Sequence, residues 1–117
     1  MIPRSGVFSR ELALQNGYDE NDILFLEKLK TDFQTFRFVF GKKFTFRPPK
    51  TVVIGHEEPF WRLLILHEVS HGICKHKSFR MDVERLRMEN EAWEKARELA
   101  VLYNIKINED LIQGETS

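Results

Sequence analysis

The stretch from Pro59 to Lys75, PFWRLLILHEVSHGICK, constrains the fold more than any other part of the chain. Leu63, Leu64, Ile65, Leu66, Val69 and Ile73 leave almost no polar face, so a helix here must be buried on most sides. Pro59 suits a first helical position, and Glu57 and Glu58 sit where a helix N-terminus favours negative charge. Into this apolar segment the sequence sets His67, Glu68 and His71, an H-E-x-x-H pattern. Residues four apart lie one turn apart on the same face, so both imidazoles can point at one metal ion. Glu68 falls at the edge of that face, within reach of a water on the metal but unsuited to ligate it. On a surface helix such histidines would simply be solvated. In a buried one the polar trio needs partners or a metal to offset its desolvation.

The rest of the chain reads as one domain over residues 1–117, with about 105–117 as a tail. Its 117 residues with 42% hydrophobic content fill one core and not two. Up to about Asn21 the pattern allows a short helix and a loop. DILFLEKLKTDF, from Asp22 to Phe33, spaces Ile23, Leu26, Leu29 and Phe33 as an amphipathic helix. The alternation of Phe36, Phe38 and Phe40, the break at Gly41 and the return with Phe44 and Phe46 predict a β-hairpin. After Pro48 and Pro49, TVVIG predicts a third strand. A long helix is expected from about Asp82 to Asn104, rich in Glu, Lys, Arg, Leu and Ala, and the acidic end, INEDLIQGETS, is expected to fray. The fold class is therefore α+β, with a small, mostly antiparallel three-stranded sheet, a backing helix, an active-site helix and a glutamate-bearing helix.

Eighteen basic and eighteen acidic side chains cancel. No net field draws the chain to nucleic acid or to an anionic membrane, so neither is expected as a partner. No apolar run approaches a membrane span and the N-terminus lacks a secretory pattern, which points to a cytoplasmic protein. The lone Cys74 reads as a small buried hydrophobe.

A catalytic zinc takes three protein ligands and leaves a position for water. Of the other two histidines, His56 precedes the helix, and His76 is turned about 140° from His71 on a continuing helix. The metzincin pattern needs Gly where Cys74 stands and His where Lys77 stands. A carboxylate from the long helix is the better third ligand, and Glu89, Glu91 and Glu94 are the candidates. Glu89 lies nearer the middle of the apolar stripe Ala92, Trp93, Ala96, Ala100 and Tyr103, with Glu91 towards its edge and Glu94 poorly placed.

Taken together, HEVSH and ENEAW resemble the gluzincins, in which H-E-x-x-H is followed by Asn-Glu-Ala. Nineteen residues separate His71 from Glu91 here, the thermolysin-like gap. By position that resemblance makes Glu91 the third ligand. Lys95 stands where the pattern has an aspartate that orients a metal histidine. The compressed order of elements is similar to the minigluzincins. Glu91-Ala92 with Ala96 is also similar to the ImmA/IrrE family, whose members act on repressors. SprT-type proteases share the leading LLxHExxH flavour but need a distant third histidine that this chain lacks.

The resemblance implies Zn²⁺, peptide-bond hydrolysis with Glu68 as general base, and a peptide or unfolded protein as substrate, paired to a sheet edge. It also implies that a terminal segment can block the site. Self-association through the open sheet edge is a further expectation. Tyr103, Arg80, Arg85 and Arg87 are candidate second electrophiles. The alternatives are a narrow protease for one regulatory protein and a non-catalytic zincin-fold binding domain.

Overall fold

The computed structural model describes residues 5–75 and 82–116, and its elements follow from short-range signals in the sequence. Strand β1 is Gly6–Val7, followed by helix α1, Arg10–Gln15. Ser9 caps α1 by accepting the Leu12 N–H at 3.1 Å. Helix α2, Glu20–Asp32, starts with a reciprocal box in which Asp19 and Asp22 each accept the other's backbone N–H. Its Ile23, Leu26 and Leu29 are buried, the spacing expected of an amphipathic helix. Three strands follow: β2, Arg37–Phe40; β3, Thr45–Arg47; and β4, Thr51–Ile54. Helices α3, Trp61–Ile73, α4, Asp82–Leu102, and α5, Glu109–Thr116, complete the chain.

The sheet corrects the sequence expectation. Among the described residues it has four strands in the order β1-β2-β4-β3 and is mixed: β2 and β4 run parallel, while β1 joins β2 and β3 joins β4 antiparallel. The hairpin expected to turn at Gly41 does not form. The Gly41 N–H donates to the Ile54 carbonyl at 2.9 Å, so the end of β2 closes onto β4 and the chain crosses to the far side of it. That crossing runs over Gly55, where an added Cβ would lie 2.9 Å from Lys43 Cα and Phe44 N. The true hairpin is β3-β4, turned at Pro48, Pro49 and Lys50 with a cis Pro48-Pro49 bond. Burial explains the order. Val52, Val53 and Ile54 are all buried, which a central strand allows, whereas Thr45 and Arg47 flanking Phe46 suit an edge.

Phe38, Phe40, Val52 and Ile54 line the inner face of the sheet, with Leu63, Leu66 and Val69 of α3 in the same core. Phe25 joins α2 to both helices of the second layer, lying edge-on to Trp61 at 5.5 Å and to Tyr103 at 5.8 Å. The C-terminal segment is also corrected. Residues 109–116 are a docked helix, not a frayed end: Asn108 accepts the Leu111 N–H at 3.0 Å, Ile112 is buried, and Glu109 pairs with Arg97 at 2.9 Å. An apolar pair behind a good cap suffices to hold a short helix once it has a neighbour to pack on. Among the described residues no helix is long and apolar enough to cross a membrane.

Candidate metal centre

Helix α3 carries His67 and His71 on the face it turns to α4, and both are buried. Two small-residue devices hold it there. Ser70 returns its hydroxyl to the Leu66 carbonyl at 2.7 Å, which satisfies a fully buried polar group inside the helix. At Gly72 an added Cβ would meet Phe36 Cζ at 2.8 Å and Phe46 Cε1 at 3.0 Å, so the helix sits on the sheet as closely as a bare backbone permits. Phe46 of the edge strand β3 then stacks on the His71 ring at 6.3 Å and 19°. From the other side the indole of Trp93 lies flat on the His67 ring, 3.9 Å away and 4° from parallel.

The carboxylate between the two imidazoles belongs to Glu89. Its Oε2 is 3.0 Å from His67 Nε2 and its Oε1 is 3.1 Å from His71 Nε2. Glu91, favoured by spacing, is elsewhere: its side chain is 42% exposed, against 20% for Glu89, and it pairs with Arg87 at 3.2 Å. The physical reason is rotation. Ala92, Trp93, Ala96 and Ala100 form the buried stripe of α4, and Glu89 precedes Ala92 and Trp93 by three and four residues, on the same stripe. Two residues on, the helix has turned by about 200° and Glu91 faces out. The stripe was the signal for Glu89; the interval counted along the chain was the weaker guide.

Glu68 is buried beside His67, with Oε2 3.3 Å from Nδ1. His67, Glu68 and His71 each offer a ligand atom within 4.8 Å of the others. Glu68 thus lies on the Nδ1 side of His67, opposite the Nε2 that faces Glu89, and Lys95 pairs with Glu98 at 3.5 Å. Of the candidate electrophiles, Tyr103 donates its hydroxyl to Asp32 and Arg87 is held by Glu91. Arg80 and the excluded ligand His76 lie outside the described residues. The side-chain carboxylate of Glu109, in the C-terminal segment, is held by Arg97, two turns beyond Glu89.

Electrostatically, His67 lies between two carboxylates. Burial alone would lower the His67 pKa, but Glu68 and Glu89 outweigh it and raise the group to about 9. Burial would raise the Glu89 pKa, and His67 and His71 instead hold it far below the usual carboxylate range. His67 Nε2 is at ion-pair distance from Glu89, yet it is buried with no hydrogen bond of acceptable direction. A buried donor atom without a directed partner, converging with a second imidazole and a carboxylate, fits a divalent cation such as zinc. No protein-family model, curated protein or solved structure matches the chain.

Proposed function

We propose that this chain is a zinc-dependent peptidase in which His67, His71 and Glu89 hold the ion and Glu68 is the general base. The observation that carries the reading is the placement of one carboxylate across both Nε2 atoms of two buried histidines, with a second buried carboxylate beside them. A structural zinc site is closed by four protein ligands and has no need of that second acid.

When bound, zinc supplies an acidified water and a Lewis acid for the scissile carbonyl. The chain's own residues do the rest. Glu68 accepts a proton as the water oxygen attacks the carbonyl carbon, then gives it to the amide nitrogen as the C–N bond breaks, and so returns to its starting state. Trp93, flat against His67, fixes that ring so its Nε2 faces Glu89. Strand β3, an edge of the sheet among the described residues, carries Phe46 beside His71 and offers backbone groups to which an extended substrate can add as a strand.

Zinc content and cleavage of casein, measured on four proteins, test the proposal. The parent binds zinc and cleaves; Glu68→Ala keeps zinc and loses cleavage; Glu89→Ala loses both; Glu91→Ala keeps both. Cleavage by Glu68→Ala at the parental rate would overturn the assignment.

A further inference from the structure

The outer face of the sheet, turned away from α3 and the histidines, is open and carries charge of one sign. It forms a trough of about 750 Å³ whose charged lining residues are Arg37, Lys42, Lys43 and Arg47, with no acid among them. All four are exposed, and among the described residues none has an ion pair or a side-chain hydrogen bond. Whole-chain neutrality therefore conceals a local excess: no acid lines the trough that carries these four cations. The floor of the trough is apolar. Val39 is half-buried at its centre, Val53 is buried beneath it, and Val7 on β1 is 55% exposed. At Gly41 an added Cβ would lie 2.6 Å from Val53 Cγ1, so the rim reaches the floor there without a side chain.

Two features define the occupant. The parallel pair β2-β4 belongs to a class of strand pairing that is normally covered by helices on both faces, and here α3 covers one face only. The one aromatic residue that lines the trough, Phe40, is buried with its ring against Phe8 and Tyr18, so it offers no exposed stacking platform of the kind single-stranded nucleic acid uses, whereas valines flanked by cations suit an apolar stripe with acidic borders. Among the described residues no helix is left over to cover this face, since the acidic α5 commits Ile112 to its own core.

We propose that this face docks an acidic amphipathic helix of another protein, with apolar residues on Val7 and Val39 and carboxylates on the four cations. The surface is separate from the metal centre, so the proposal stands whether or not the chain is a peptidase. Strand β3 joins the two, because Phe46 points to His71 while Thr45 and Arg47 line the trough.

The test is fluorescence anisotropy with a labelled peptide of about 18 residues, leucine at helical spacing and glutamate on the flanks. Binding should weaken with added salt and fall by about tenfold or more in Arg37→Glu/Arg47→Glu. A version with lysine in place of glutamate should not bind. Lys42→Glu/Lys43→Glu, in the β2-β3 link, gives the same readout should the first pair perturb the sheet, and unchanged zinc content and circular dichroism certify the fold. Equal binding of the lysine peptide, insensitivity to both variants, or preferential binding of oligothymidylate would each overturn the proposal.

Discussion

The interface between α3 and α4 has two halves that solve opposite problems. Around Leu63, Leu66, Ala96 and Ala100 it is a dry core, sealed by α2 through Phe25 and by Trp61. One or two turns away the same helices bury His67, Glu68, His71 and Glu89 between Trp93 and Phe46. Burying those charges costs desolvation that mutual attraction only partly offsets. The apolar half can carry the fold, which leaves the polar half free to be arranged for chemistry.

The largest effect expected from this contrast lies in the apolar half. Leu63→Ala, at a fully buried position, should lower stability by about 2–5 kcal/mol in urea unfolding while leaving zinc stoichiometry intact in the folded fraction. A loss of zinc without a loss of stability would show that the halves are not separable as described.

In the polar half, zinc at a hundredfold excess over its Kd should stabilise the parent by about 3 kcal/mol. Glu89→Gln should abolish most of that gain. A full zinc-induced shift in thermal unfolding of Glu89→Gln would remove Glu89 from the site.

Without metal, the polar half should show its charges in the pH dependence of stability. His67 has a folded pKa raised to about 9, so its contribution is complete below the ordinary histidine value and fades as pH rises towards 9. Glu89 has a depressed pKa, so its contribution is present above the ordinary carboxylate value and fades in acid. Metal-free protein should therefore be most stable between about pH 4.5 and 6.5 with respect to this pair. The urea midpoint should fall from pH 6.5 to 9, and Glu89→Gln should flatten the fall; a rising midpoint in that window would contradict the pairing.

The smallest effect is at Glu91. Its contact with Arg87 is exposed, so Glu91→Ala should change stability by less than about 0.5 kcal/mol and leave zinc-dependent stabilisation as it was.

Much of this arrangement was legible in the sequence. The spacing of Ile23, Leu26 and Leu29, the apolar run around H-E-x-x-H and the stripe from Ala92 to Ala100 gave helices close to those observed, because each signal is local. Strand order was not local. The Phe36 to Phe46 alternation describes faces correctly but says nothing about which strand lies between β2 and β3, and TVVI, apolar throughout, took the middle. Glu89 and not Glu91 lies across the two histidines because rotation about the helix, which distance along the chain does not report, decides the face a side chain takes. The cationic face was hidden by a neutral total, since charges cancel in a sum and not across a surface.

Gly72 has one further consequence. With Phe36 and Phe46 already crowding the place a Cβ would take, that residue acts as a spacer of zero thickness between helix and edge strand. A methyl group inserted there would shim α3 away from β3 and carry His71 with it. Glu89, mounted on a different helix, would stay behind. The grip proposed for His67, His71 and Glu89 has little slack for that shift, so a single hydrogen in place of a side chain sets the clearance between helix, edge strand and the histidine cluster.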